Sequence, residues 1–168
     1  MASERKYIMC AAGGFTMHVT DSRNVEVIRV ESASRLLSRD CCWAKLDPCL
    51  HYARIQAPVG NVIGQVKQTM PGCFSRYVVL DSYQHKIFTI QRESSNFSLF
   101  NFNFVIKTND GNTVGGITRK WSGLPEDVFS NARKFSVTFP QDLEVKMKAV
   151  LLGALFLINS VHFGEDDE

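Results

Sequence analysis

Asp142-Leu-Glu-Val-Lys-Met-Lys148, followed by Ala149-Val-Leu-Leu-Gly-Ala-Leu-Phe-Leu-Ile158, is the stretch on which the fold turns. Its apolar half either crosses a bilayer or lies in a core. A spanning helix needs about 20 predominantly apolar residues, whereas a run of about 10–14 is more often a core helix or an interfacial segment. Here the unbroken run ends at Ile158, and Asn159, Ser160 and His162 introduce polar groups before the acidic tail Glu165-Asp-Asp-Glu168. Length therefore favours burial over a single-pass anchor spanning residues 149–163. A helix that is apolar on every side has to be enclosed, and the residues upstream must supply the enclosure.

Those residues read as strands. Phe15-Thr-Met-His-Val-Thr20 and Val25-Glu-Val-Ile-Arg-Val30 alternate apolar and polar around the turn Asp21-Ser-Arg-Asn24, a hairpin signal. The stretch Ser32–Pro48 reads as a loop. Strand signals resume at His51–Gln56, Asn61–Thr69, Arg76–Leu80 and Lys86–Ile90, with turns at Ala57–Gly60 and Pro71-Gly72. The phenylalanine-dense Asn96–Lys107 places Phe100, Phe102 and Phe104 two apart, hence on one side of a strand. Asn109-Asp-Gly-Asn112 supplies residues tolerant of positive φ for a hairpin into Thr113–Trp121. A short helix is expected over Leu124–Ala132 and a last strand over Phe135–Phe139. Asp142 is the expected N-cap of a terminal helix over about 142–160. The expected fold is mainly β: an antiparallel meander curling into a barrel around one hydrophobic C-terminal helix.

Composition bounds the rest. The 168 residues, 45% of them hydrophobic and 21% charged, suit one globular domain. It is expected over 15–164, after a flexible leader at 1–14 and before the tail at 165–168. A net charge of +2 gives no strong nucleic-acid signal. The polar start, Met1-Ala-Ser-Glu-Arg-Lys-Tyr7, has no hydrophobic segment of a secretory signal. The five cysteines, Cys10, Cys41, Cys42, Cys49 and Cys73, then read as reduced cytosolic thiols. His18, His51, His85 and His162 lack metal-ligand spacing, and neither a nucleophile–base arrangement nor a phosphate loop is visible. No enzyme activity is expected.

Three blocks carry a resemblance. Gly115-Gly-Ile-Thr-Arg-Lys-Trp-Ser-Gly-Leu124, then Phe135-Ser-Val-Thr-Phe-Pro-Gln-Asp-Leu-Glu-Val-Lys-Met-Lys-Ala-Val150 with the apolar run, closely resembles the C-terminal part of the phospholipid scramblase family. Ile55-Gln-Ala-Pro58 with Gly64-Gln-Val-Lys-Gln-Thr69 matches a second family segment, and Cys41-Cys42 with Cys49 falls where the family carries a cysteine cluster. The resemblance runs from about Phe15 to Phe163 and implies a tubby-like β-barrel closed around its helix. It also implies ATP-independent, bidirectional movement of phospholipids between leaflets, at the cytosolic face of the plasma membrane. The nucleus and cytoplasm are further compartments, and protein partners or self-association are open. The alternative is a membrane-tethered or nucleus-shuttling tubby-like binding module without transport activity.

The family pattern is not kept throughout. The chain lacks a proline-rich lead and several early strands, so its barrel is expected to be shortened at the N-terminus. The cofactor implied is Ca2+, in a segment with acids at alternate positions. The matching positions here are Asn131, Arg133, Phe135, Val137, Phe139 and Asp142, of which one keeps a carboxylate. A structural strand is the favoured reading, because Ca2+ takes six to eight oxygen ligands. The resemblance makes Cys41, Cys42 and Cys49 palmitoylation candidates, with idle reduced thiols as the alternative. It makes Arg119, Lys120 and Trp121 part of a nuclear-import-like segment, with a solvated strand end as the alternative.

Overall fold

The computed structural model describes residues 3–4, 14–33, 50–70, 75–93, 102–120 and 134–163. Among these residues ten strands precede one helix: β1 (Ser3–Glu4), β2 (Phe15–Thr20), β3 (Glu26–Ala33), β4 (Tyr52–Gln56), β5 (Val62–Met70), β6 (Arg76–Asp81), β7 (Lys86–Arg92), β8 (Phe102–Lys107), β9 (Thr113–Lys120), β10 (Lys134–Thr138) and α1 (Val145–Phe163). The strands form one sheet in chain order, and every neighbouring pair is antiparallel. The mainly β expectation therefore holds. β1 and β10 each have one sheet neighbour among the described residues, so the sheet is unclosed. The short helix expected over 124–132 lies outside the described residues, as do most of the leader and the acidic tail.

An up-and-down meander puts alternate connections at opposite ends. At the first end the links are tight and held by local chemistry. Asp21 Oδ1 accepts from the N–H groups of Arg23 (2.8 Å) and Val25 (2.9 Å). Asp81 Oδ1 repeats the arrangement with Tyr83 and His85, both at 2.8 Å. Gly60 and Gly111, at φ +95° and +84°, take the left-handed positions in the β4–β5 and β8–β9 turns. At the second end the chain takes long connections: from β3 to β4, from β7 to β8 and from β9 to β10. A register shift just before four of the tight turns (Val19/Thr20, Ile55/Gln56, Val79/Leu80 and Ile106/Lys107) bends the sheet.

The bent sheet wraps the helix. α1 touches β3, β4, β5 and β6 on one flank and β10 on the other. Two glycines permit the close approach. A side chain at Gly64 of β5 would meet Val150 Cγ2 and the Leu80 carbonyl oxygen, both at 2.7 Å, and one at Gly153 of α1 would collide with Ile55 Cγ1. Val150, Leu151, Ala154, Leu155, Leu157, Ile158 and Val161 are buried among inward residues of the wall, including Val30, Ile55, Val66, Tyr77, Val79, Ile90, Phe104 and Ile117. Ala149, Leu152 and Phe156, at helical spacing, form a half-buried stripe. Gly153, facing β3 and β4, and Lys148, whose Nζ lies 5.7 Å from the Phe139 ring after β10, bracket that stripe. The opening in the sheet thus lies over the stripe.

The helix starts later than the sequence suggests. Lys148 N–H bonds the Glu144 carbonyl at 3.0 Å, which makes Glu144 the capping residue. Asp142 lies in the preceding turn, where Leu143 N–H bonds the Pro140 carbonyl at 3.2 Å. Pro140 closes this turn before α1 can begin, so the N-cap expectation for Asp142 is replaced.

Candidate functional site

The two ends of the wrapped sheet differ chemically, and the second end concentrates the candidate residues. Cys41, Cys42 and Cys49 belong to the connection between Ala33 and Tyr52, both of which are strand termini at that end. The cysteines themselves lie outside the described residues, as do Asn131, Arg133 and Trp121. Arg119 and Lys120 close β9 at the same end, paired with Phe135 and Lys134 of β10. Arg119 is not a free strand end: its guanidinium stands 5.9 Å from the centre of the Phe135 ring. α1 runs from the first end to the second.

Inside the second end the apolar core gives way to polar groups. Tyr77 is fully buried, and its hydroxyl lies 3.0 Å from His162 Nε2 in the last turn of α1. Burial pushes the tyrosine hydroxyl well above its ordinary pKa, partly offset by a hydrogen bond with the buried Ser75. The Phe104 ring completes the cluster, 6.2 Å from Tyr77 and 5.5 Å from His162. This tie joins residues 85 positions apart in the chain, and no local sequence signal points to it. Of the phenylalanine ladder, Phe104 is in the core, Phe102 pairs through its backbone with Arg119, and Phe97 and Phe100 lie outside the described residues.

The segment matched to a calcium site is structural where it is described. Phe135 and Val137 on β10 and Phe139 beyond it are half-buried and pack on the core. Asp142 is exposed in the turn before the helix. Three apolar side chains and one carboxylate do not fit an ion that takes six to eight oxygen ligands. Lys148, in the first turn of α1, fastens the end of this segment by donating to the Gln141 carbonyl at 2.8 Å.

One polar group of the outer surface is strongly organised. Glu26 accepts from Arg29 Nε at 2.7 Å and Nη2 at 2.8 Å, and lies 2.8 Å from His18 Nδ1. The Arg29 guanidinium, aided by His18, holds the Glu26 carboxyl down to about 2.

A mostly β wall around one apolar helix narrows the choice of family, and comparison with known proteins decides it. The Scramblase family model matches residues 3–165. The chain belongs to the scramblase family. Phospholipid scramblase 2 of Bos taurus and of Homo sapiens are each 36% identical to it over 151 residues, covering 89% of this chain and 50% and 49% of theirs. Phospholipid scramblase family member 5 of Homo sapiens is 34% identical over 151 residues, covering 88% of this chain and 54% of its own. This scramblase-family chain thus spans about half the length of these relatives. No solved structure matches it. Its one helix long and apolar enough to cross a membrane, by length and composition, among the described residues, is the core helix over Val145–His162, of which half is buried inside the structure.

Proposed function

We propose that this chain is a scramblase-like, tubby-like barrel module. It promotes ATP-independent movement of phospholipids in both directions between leaflets, from the cytosolic face of the plasma membrane. The observation that carries the reading is the family match over residues 3–165, nearly the whole chain. In this reading Cys41, Cys42 and Cys49, once acylated, tether the end of the sheet where the long connections emerge. At least two lipid signals are required for stable attachment, so the cysteines act together. Calcium has no direct role at the 131–142 segment, because its described side chains do not suit the ion.

The test is reconstitution into liposomes containing a fluorescent phospholipid, with and without Ca2+. The expected result is accelerated equilibration of the label between leaflets, equal in both conditions. No acceleration in either condition overturns transport by this chain. Acceleration confined to the Ca2+ arm overturns the calcium-independent form.

A second reading is a tethered or nucleus-shuttling binding module without transport activity. The packed interior favours it: Val66, Ile90, Leu151 and Leu157 are all inaccessible, so the described wall packs directly on the helix and leaves no room between them for a headgroup. Under this reading Cys41→Ala with Cys42→Ala moves the protein from membranes to the nucleus, where Arg119, Lys120 and Trp121 would serve import. Unchanged membrane residence of that double variant in cell fractionation overturns cysteine tethering.

A further inference from the structure

The outer face of the sheet changes sign where β3 meets β4. On β2 and β3 it carries Glu31 and the group of Glu26, Arg29 and His18. From β4 to β8 it turns basic, and the register arranges its residues in rows. Tyr52, Lys67, Val78, Thr89 and Lys107 stand opposite one another in turn across five strands. One row towards the first end Arg54 stands opposite Gln65, and one row towards the second end Arg76 stands opposite Gln91. Directly opposed residues project from the same face of a sheet. Their neighbours along the strands, including Ala53, Val66, Tyr77, Val79 and Ile106, are core residues, so these rows face outward. No acid stands in them from β4 to β8, and Glu31 of β3, opposite Arg54, marks the margin.

The cations of this face are accessible. Arg54, Lys67 and Arg76 are exposed and Lys107 is half-buried. The ion pairs among the described residues join Arg23, Arg29, His18 and His85 to Asp21, Glu26 and Asp81, and use none of these four. Lys67 Nζ donates to the neutral Gln84 Oε1 at 3.2 Å, which leaves its charge uncompensated. Arg54 and Arg76 sit diagonally on either side of Lys67, about 7–8 Å away and within a Debye length of about 8 Å at physiological salt. Like charges so placed repel one another, and an external anionic surface relieves them. A wall that wraps α1 is convex outside, which suits a broad anionic surface better than a small ion. Tyr52 and Val78 in the row of Lys67, and Met70, 42% exposed opposite Arg76, interleave the cations with apolar surface. The headgroup region of a bilayer accepts such side chains, whereas a nucleic-acid backbone gains nothing from them.

We propose that the outer face of β4–β8 docks the chain on an anionic leaflet, with Arg54, Lys67, Arg76 and Lys107 set against acidic headgroups such as that of phosphatidylserine. The choice of a lipid surface rests on the phospholipid reading of the chain. Cys49, outside the described residues, precedes Tyr52 by three positions, at most about 11 Å of extended chain. An acyl chain there enters the same leaflet that the cations meet, and a basic patch and an acyl chain reinforce one another in this way. Attraction by bulk charge is the competing account, and the net charge of +2 makes it weak.

Vesicle co-sedimentation of the unacylated full chain separates these accounts. The probes are phosphatidylcholine vesicles with and without phosphatidylserine, and a DNA duplex. The expected result is binding to the phosphatidylserine vesicles about tenfold tighter or more than to phosphatidylcholine alone, weakening as salt rises. Each cation near an anionic leaflet is worth about fivefold in partitioning, so Lys67→Gln with Arg76→Gln weakens binding by about tenfold or more. Arg23→Gln with Lys146→Gln removes the same two charges from exposed positions at the first end and leaves binding within about twofold, as screening between distant charges requires. Should the Lys67/Arg76 variant fail to fold, protection of Lys67 relative to Lys146 from amine acetylation, conferred on the native chain by phosphatidylserine vesicles, reads the same contact. Equal binding to both vesicle types, an equal loss in the Arg23/Lys146 variant, or tighter binding of the duplex than of phosphatidylserine vesicles overturns this face as a lipid dock. A chain that moves lipid but binds vesicles equally well with Lys67 and Arg76 replaced refutes this face alone, and one that binds through the face without moving lipid refutes transport alone.

Discussion

Glu26 shows how a single surface carboxylate can be made to depend on its neighbours. Its carboxyl is held at about 2 by the bidentate Arg29 fork and by His18, below the ordinary value of about 4.3. A carboxyl whose folded pKa is depressed stabilises the fold above its unfolded pKa, and that contribution is lost as pH falls through the folded one. Thermal melts of the wild type and Glu26→Gln should therefore differ by a constant amount above about pH 5. The gap should narrow between about pH 4.5 and 2, with the wild type the more stable throughout. A gap that does not respond to pH would mean that the pair contributes nothing through its charge. The same residues also show what a lone sequence conceals. His18 alternates properly in a strand, yet the hairpin register that sets it 2.8 Å from Glu26 includes an irregularity at Val19/Thr20, which no residue type announces.

At the scale of elements, α1 and the wall meet through missing side chains. Glycine inside a helix ordinarily costs about 1 kcal/mol relative to alanine, so Gly153→Ala would stabilise an isolated helix. Here the added methyl collides with Ile55, whose Cδ1 lies 3.0 Å away as well, and Val30 Cγ2 stands at 3.6 Å. Overpacking a closed core costs about 1–3 kcal/mol. Gly153→Ala should lower stability by about that much in chemical denaturation, and Ile55→Val in the same chain should recover part of it. Stabilisation by Gly153→Ala alone would show that the helix does not touch β4. The strands themselves were legible: Phe15–Thr20 is reproduced residue for residue and most others to within three, because period-two alternation and turn residues are local properties. The helix was legible as a core element through its length. Its start was displaced because Pro140, Gln141 and Asp142 make a turn first. The tie between Tyr77 and His162 was not legible, since it joins residues 85 positions apart in the chain.

At the scale of the molecule, the unclosed sheet and the enclosed helix make opposite demands. Ten strands in chain order leave β1 and β10 with one neighbour each among the described residues, and an unpaired edge invites association. The helix, by contrast, contributes Val150, Leu151, Ala154 and Leu157 with no accessible surface. If α1 is the core of a folded body, its amides from 150 to 158 should be among the slowest of the chain to exchange hydrogen in detergent-free solution, opening only with global unfolding. Exchange of this segment faster than that of β5 and β6 would mean that the helix leaves the wall, as a membrane anchor must. Family membership does not replace that measurement, because the chain spans about half the length of its scramblase relatives.

The order of the elements also sets when this core can exist. Every described strand precedes the helix that fills the sheet, so during synthesis the inner wall must wait, uncovered, for residues 145–163. At a synthesis rate of about 5–20 residues per second, the span from β5 to the end of α1 takes several seconds to emerge. Throughout that interval Val66, Tyr77 and Ile90 have nothing to rest on. The nascent chain is therefore a natural client for chaperones that recognise apolar strands, and the arrival of α1 is the step that releases it.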